Sequence, residues 1–216
     1  MKKRLKINDP KVLAVKIIDN GEPLVDVEKS YKQLFYDKTR EGVFKYNKAK
    51  CLFRKSVVKK LVRAQNLLPK GLRLKIKEGH RPLSVQKMIF NEHLVYLGKK
   101  WPQKSHAFLK SKAVEYVAPP DVVPPHSTGG AVDLTLMVVS GKELDMGKKI
   151  NNSGRSSLTY AKNISANAKS NRKILIKAME KAGFVNYSYE WWHWSYGDRY
   201  WAFIKKREFA IYNAIR

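Results

Sequence analysis

Two adjacent glycines, Gly129 and Gly130, separate a proline-rich segment from a long apolar run, and they limit how this chain can fold. A helix across the pair is disfavoured, because a glycine inside a helix costs about 1 kcal/mol relative to alanine. The apolar residues 132–139 are therefore expected to form a strand that starts after a bend in the backbone.

A histidine and an aspartate flank this bend. His126 lies on the incoming segment and Asp133 on the following strand, so the bend would bring an imidazole and a carboxylate together. A catalytic zinc takes three protein ligands of these types and keeps one position open. His126 and Asp133 are thus candidates for two of them, although a surface histidine and a turn aspartate would give the same pattern.

A second motif, Glu190-Trp191-Trp192-His193, places an acid and a histidine in an aromatic segment. Positions i and i+3 of a regular strand face opposite sides, so a shared site requires a bulge or the end of a strand. With that geometry, His193 supplies the third ligand and Glu190 acts as general base towards the attacking water. The alternative is a structural carboxylate beside a core histidine.

A third candidate is Arg81, within Glu78-Gly79-His80-Arg81-Pro82 at the end of an alternating apolar segment. An arginine held between glycine and proline could stabilise the oxyanion that forms when a carbonyl becomes tetrahedral. In a chain with 44 lysines and arginines, it could also be an ordinary surface charge.

The composition is that of a globular protein, with 44% apolar and 29% charged residues in a chain of 216. That length suits a single domain over residues 1–216. Cys51 is the only cysteine, which excludes an intramolecular disulfide and a cysteine-based zinc site. No apolar run approaches the roughly 20 residues of a membrane span, and the basic N-terminus lacks the apolar core of a signal peptide. We therefore expect a soluble protein of a reducing compartment, the cytoplasm.

The net charge of +26 would suit a polyanionic partner such as nucleic acid, an anionic membrane or a cell-wall polymer. The basic residues are dispersed along the chain, which favours a solvated basic surface over a single binding stripe. We therefore expect neither a specific nucleic-acid partner nor membrane insertion.

Apolar spacing predicts helices over residues 49–68, after Pro82 and around 174–183, and strands over 72–76 and 132–139. Residues 184–194 and 200–203 predict two aromatic strands. Strands flanked by helices, without an internal repeat, indicate an α+β fold.

Together the three motifs resemble those of the D-alanyl-D-alanine dipeptidases, a metallopeptidase family that includes the vancomycin-resistance type. The resemblance extends from about residue 24 to residue 203 and is specific at the motifs. It implies a small antiparallel sheet that carries the zinc site and is flanked by helices, a hedgehog/D,D-peptidase-like fold. It also implies one zinc ion per chain, held by His126, Asp133 and His193, with Glu190 as base and Arg81 stabilising the transition state.

The implied reaction is hydrolysis of the D-alanyl-D-alanine dipeptide by a metal-activated water, in the context of bacterial cell-wall metabolism. The implied partner is a small peptide substrate, and the oligomeric state is left open. Tyr31 matches a substrate-side tyrosine of the family, and Trp192 is expected to line the substrate pocket.

Two positions depart from the family pattern. Pro124 stands where the dipeptidases carry a serine, and Asn151 stands where an aspartate holds the free ammonium group of the dipeptide. A neutral amide is a poorer partner for that group than a carboxylate. A zinc D,D- or L,D-carboxypeptidase or amidase that acts on longer cell-wall peptides is therefore a second hypothesis, and a non-catalytic basic binding module is a third.

Overall fold

A computed structural model describes residues 4–38, 51–114, 117–152 and 154–215 of the chain. The helices are α1 Pro10–Leu13, α2 Val27–Ser30, α3 Lys55–Asn66, α4 Leu83–Lys100, α5 His106–Ala113, α6 Ala166–Ala182 and α7 Arg199–Ile204. The strands are β1 Lys16–Ile17, β2 Leu24–Asp26, β3 Phe35–Tyr36, β4 Leu52–Arg54, β5 Leu72–Glu78, β6 Ala131–Val138, β7 Val185–Asn186, β8 His193–Ser195 and β9 Phe209–Ala210. Short 3-10 helices cover Pro125–Thr128 and Arg155–Ser157.

The largest sheet has five strands in the order β3-β5-β6-β8-β7. β3 runs parallel to β5, and the other neighbouring strands are antiparallel. β6 is the central strand, and its residues 131–137 are all buried, so neither of its faces meets solvent there. The predicted strand over 132–139 is therefore confirmed, and the small, mainly antiparallel sheet with its helices confirms the α+β fold.

The main core forms where α3 and α6 cover this sheet. It joins side chains of α3, α6 and the central strand with aromatic residues from the C-terminal half, including Leu61, Leu134, Leu136, Leu175, Phe184 and Trp194. Full burial of each large apolar side chain contributes about 1.5–3 kcal/mol to folding. The central strand is thereby held firmly between the helices and its neighbouring strands.

The helix predicted over 49–68 begins later in the structure. Residues Leu52–Arg54 form β4, which pairs antiparallel with β2 and places Phe53 opposite Val25. Phe53 is fully buried in this strand. An apolar residue at this position is compatible with a buried strand as well as with the buried face of a helix. Pairing with the distant strand β2 makes this segment a strand rather than a helix. Residues 49–50 of the predicted helix lie outside the described residues.

The two ends of the described chain meet, because β1 pairs in parallel with β9. The strand predicted over 200–203 is wrong: these residues lie in α7. The Asp198 side chain caps this helix by accepting a hydrogen bond from the Trp201 N–H at 2.8 Å. Tyr200 and Trp201 are both buried against the second core cluster, so aromatic content alone gave the wrong element.

α4 and α5 pack together at the periphery around a third cluster that contains Phe90, Leu97 and Ala113. Within the described ranges, no helix is both long and apolar enough to cross a membrane.

Candidate metal centre and catalytic site

Three backbone elements bring the predicted ligands together. His126 lies in the 3-10 helix Pro125–Thr128, which ends at Gly129 with a left-handed φ of 71°. Asp133 lies on β6 and His193 on β8, directly opposite each other in the antiparallel register. The bend expected at the glycine pair is therefore what returns His126 to the strand that carries Asp133.

The donor atoms of these three side chains converge. His193 Nδ1 lies 3.0 Å from Asp133 Oδ1 and 3.2 Å from His126 Nε2. His126 Nε2 lies 3.4 Å from Asp133 Oδ1, and one ligand atom from each residue lies within 4.8 Å of the others. All three residues are buried. Two imidazoles and one carboxylate form the kind of donor set that zinc takes in catalytic sites, so the group fits these residues.

The backbone fixes which nitrogen of His126 faces the cluster. Its Nδ1 lies 2.9 Å from the carbonyl oxygen of Gly79, which can only accept a hydrogen bond, so Nδ1 carries the proton. Nε2 of the neutral ring then has a free lone pair towards Asp133 and His193. Such a hydrogen bond on the far nitrogen is the usual way in which a protein orients a metal-binding histidine.

The charges of the cluster favour a deprotonated carboxylate. Burial raises the pKa of Asp133, but His126 and His193 outweigh burial and hold that pKa well below its usual range. Burial lowers the pKa of His126, while Asp133 and Glu78 raise it, with a net increase. Because a metal binds carboxylate rather than carboxylic acid, Asp133 is ready to act as a ligand at neutral pH.

Glu190 lies in the turn that precedes β8 rather than on the strand. Its N–H donates to the carbonyl of Tyr187 at 2.9 Å, and its own carbonyl accepts from the His193 N–H at 3.2 Å. The turn removes the strand alternation that would have separated Glu190 from His193. Burial raises the pKa of its carboxyl group to about 7, while His193 lowers it and Asp133 raises it. The carboxyl group of Glu190 therefore interacts electrostatically with two of the metal-ligand candidates, His193 and Asp133.

Arg81 has a guanidinium group held by two side chains. Its Nε donates to Glu78 Oε1 at 2.6 Å, and its Nη1 donates to Gln86 Oε1 at 2.7 Å. Burial lowers the pKa of Arg81, but Glu78, Asp133 and Glu190 raise it, so the group stays charged. Its backbone N–H donates to the carbonyl of His126 at 3.1 Å, which joins the arginine motif directly to residues 125–130, the metal loop.

The three candidate substrate contacts lie in different surroundings. Tyr31 lines a cavity of about 720 Å³ whose lining includes none of the three clustered ligand candidates. Trp192 is 2% exposed and belongs to the main core. Asn151 is exposed and has a left-handed φ of 61°, which asparagine tolerates better than most residues. A role in substrate binding stays a prediction for all three.

The sequence alone predicts no role for Glu78, the Gly79 carbonyl or Gln86. Glu78 lies opposite Asp133 across a register shift between β5 and β6, which turns its side chain towards Arg81. Gln86 is 1% exposed and donates from Nε2 to the carbonyl of Ala118 at 2.6 Å. The pairing of Glu78 with Arg81 could have been predicted, because the two residues are three positions apart. The bond from Gln86 to Ala118 spans 32 positions, so no local sequence pattern indicates it.

Comparison with known proteins identifies the family. The family model of peptidase M15, described as D-ala-D-ala dipeptidase, matches residues 15–212. A D-alanyl-D-alanine dipeptidase of Synechocystis sp. is 29% identical over 219 residues, which is 88% of each chain. A D-alanyl-D-alanine dipeptidase of Escherichia coli is 31% identical over 149 residues, which is 68% of each chain.

Among solved structures, VanYB in complex with D-alanine-D-alanine is similar at 17% identity. The match covers 73% of this chain and 80% of that chain, with a TM-score of 0.46.

The family match covers most of the chain, including both clustered motifs and Arg81. Together with the His/Asp/His donor set, it confirms the expectation of a zinc metallopeptidase. The chain belongs to the D-ala-D-ala dipeptidase family of peptidases.

Proposed function

We propose that this chain is a zinc-dependent dipeptidase that hydrolyses D-alanyl-D-alanine, with His126, Asp133 and His193 as the metal ligands. The observation that carries the proposal is the convergence of their three donor atoms within 4.8 Å, close enough to Glu190 to shift the pKa of its carboxyl group. The curated relatives reported above are named as dipeptidases of this substrate, which supports the assignment.

A zinc ion held by His126, Asp133 and His193 would lower the pKa of water and polarise a carbonyl oxygen. Glu190 acts as the general base and then as the general acid. Burial raises the pKa of its carboxyl group, and a group that must gain and lose a proton works best when its pKa lies near the operating pH. The proton that it takes from the attacking water is the one that it gives to the leaving amine.

Arg81 stabilises the negative charge that develops on the oxygen of the scissile carbonyl. Glu78 and Gln86 occupy two of its nitrogens and fix the plane of the guanidinium group. A donor that is already oriented before the reaction needs no reorganisation when the charge appears, which is why such donors lower the barrier.

A second candidate is hydrolysis of longer peptides by the same residues. Pro124 is buried and offers no hydroxyl group, and Asn151 is a neutral, exposed residue. Neither can supply the charged contact that a free ammonium group would require. A substrate whose amino end is blocked, or continues as a longer peptide, does not need that contact.

The test measures zinc content together with kcat and KM for free D-alanyl-D-alanine and for longer D,D- and L,D-peptides. The leading proposal predicts one zinc per chain and cleavage of the free dipeptide. If only the longer peptides are cleaved, the second candidate replaces it. The matched control is Glu190→Gln, which preserves the size of the side chain and should bind zinc without turnover.

A further inference from the structure

Arg172 on α6 is a buried cation whose hydrogen bonds within the described chain all go to backbone carbonyls. It is 2% exposed. Its Nε and Nη2 donate to the Met146 carbonyl at 2.9 and 2.6 Å, and Nη2 also donates to the Ser156 carbonyl at 2.7 Å. Its Nη1 donates to the Leu158 carbonyl at 2.6 Å. Burial of a charge is costly, so this position is expected to serve a purpose that an apolar residue cannot.

The carbonyls that Arg172 holds belong to the two ends of one loop. Met146 precedes the loop and Ser156 follows it, and the loop itself carries Asn151. A guanidinium group presents five N–H donors in a rigid plane, so it can hold both ends at a fixed separation. A lysine ammonium group could not hold both ends in the same way, because it is a single point on a flexible stem.

Residues close to these carbonyls in sequence, Lys148 and Ser157, are bonded to the two residues that flank Glu190. On one side, Ser157 Oγ donates to the Tyr189 carbonyl at 3.0 Å. On the other, the Trp191 N–H donates to the Ser157 carbonyl at 3.0 Å, and Trp191 Nε1 donates to the Lys148 carbonyl at 3.1 Å.

The guanidinium carbon of Arg172 also lies 5.4 Å from the centre of a Trp191 ring. The backbone on both sides of Glu190 is therefore hydrogen-bonded to Ser157, next to one end of the loop, and Arg172 is hydrogen-bonded to both ends of the loop.

We propose that Arg172 is a positioning residue for Glu190, acting through the loop ends and Trp191. This inference rests on the proposed function, because it assumes that Glu190 is the base. Movement of the loop ends would shift Tyr189 and Trp191, and with them the carboxyl group between them. Proton transfer depends on hydrogen-bond distances, and a misplacement of about 1 Å can lower the rate by about 100-fold.

The experiment compares Arg172→Met with wild type in the zinc-loaded full chain. Methionine keeps an unbranched apolar stem but removes all donors. Three quantities are measured: zinc content, kcat and KM on the peptide that the wild type cleaves, and hydrogen exchange of residues 147–157 and of the Trp191 amide. Lys173→Met is the matched control, since Lys173 is the exposed neighbour on the same helix and its loss removes the same charge.

We expect Arg172→Met to keep its zinc, to lose about tenfold or more in kcat with a smaller change in KM, and to exchange faster at residues 147–157. Lys173→Met should match the wild type in all three measurements. Faster exchange with an unchanged kcat would overturn the inference, and so would loss of zinc together with activity.

If Arg172→Met does not fold, Trp191→Phe provides the second route. This variant keeps a ring under the guanidinium group but removes the bond to the Lys148 carbonyl, so the same pattern is expected with a smaller loss. Glu190→Gln distinguishes a failure of the proposed base from a failure of the positioning role of Arg172. Full activity in Glu190→Gln would refute Glu190 as base. An inactive Glu190→Gln beside a folded, fully active Arg172→Met would refute only the role of Arg172, and so would a folded, fully active Trp191→Phe if Arg172→Met does not fold.

Discussion

At the scale of single residues, His193 and Glu190 are close in sequence but differ in what they contact. His193 faces Asp133 across two strands, and its Nδ1 points into the cluster. Glu190 lies in the preceding turn, and its carboxyl group affects the site through charge. Loss of the first should remove the metal, whereas loss of the second should remove only proton transfer.

His193→Ala should lower zinc affinity by more than about 100-fold, because even residues that only orient a ligand change affinity by 10–100-fold. Chelator competition followed by metal analysis measures this directly. His106→Ala is the control, since His106 is an exposed histidine at the start of α5. Equal zinc affinity in His193→Ala and wild type would exclude His193 as a ligand.

Arg81→Lys should lower kcat by about 10²–10³-fold and raise KM much less, because the lost donor acts mainly on the transition state. Lysine keeps the charge but loses the planar contacts to Glu78 and Gln86. Steady-state kinetics on the cleaved peptide separates the two parameters. A rise in KM alone would instead assign Arg81 to ground-state binding.

At the scale of elements, the metal loop depends on close packing around its second glycine. A Cβ atom on Gly130 would lie 2.3 Å from the carbonyl oxygen of Tyr196, which is backbone and cannot move aside easily. The loop is also held by Arg54, whose Nε donates to the Thr128 carbonyl at 2.9 Å. The His126 imidazole is therefore positioned by backbone contacts on both sides of the glycine pair.

Gly130→Ala should destabilise the fold by about 1–3 kcal/mol through overpacking and should weaken zinc binding as well. Gly98→Ala in α4 is the contrasting variant, since its Cβ would meet only Leu109 Cδ1 at an ordinary 3.8 Å. That change should stabilise the protein by about 1 kcal/mol. Urea unfolding of both variants gives the comparison, and similar midpoints would contradict the packing argument.

The motif chemistry could be predicted from sequence because each motif is short. The glycine pair, the strand over 132–139 and the acid and histidine of the aromatic motif are local features. Their assembly was not visible, because the antiparallel register that places Asp133 opposite His193 depends on tertiary pairing. The same holds for Phe53 and Trp201, whose elements were decided by distant partners rather than by local preference.

At the scale of the whole molecule, Arg54 joins three distant parts of the chain. Its Nη2 donates to Asp19 Oδ2 at 2.8 Å and to the Asn213 carbonyl at 3.1 Å, while its Nε holds the metal loop. The partners lie 35 and 159 positions away in sequence. In a chain with 44 basic residues, nothing local distinguishes this buried arginine from the solvated ones.

The Asp19 contact predicts how stability depends on pH. Burial raises the pKa of Asp19, but the backbone N–H groups of Asn213 and Gly21, together with Arg54, outweigh burial and lower it. A lowered pKa stabilises the fold at pH values above the unfolded-state value, and that stabilisation is lost as the pH falls through the folded-state pKa. Asp19→Asn should therefore lose stability at neutral pH and lose less than wild type on acidification.

Urea unfolding at neutral pH and at about pH 3 measures the difference between wild type and Asp19→Asn at each pH. The difference should shrink at the lower pH. A constant difference would show that folding does not lower the pKa of the Asp19 carboxyl group. The expected single domain over residues 1–216 would appear in the same experiment as one cooperative transition.

The contacts of the metal loop with the C-terminal segment also set an order of events during synthesis. Ser127 accepts a hydrogen bond from the Ile215 N–H at 2.9 Å, and Arg54 needs the Asn213 carbonyl. Both partners leave the ribosome long after His126 and Asp133 have emerged. The loop therefore reaches its final geometry only after residues 213–215 have emerged, when most of the described chain has already been synthesised.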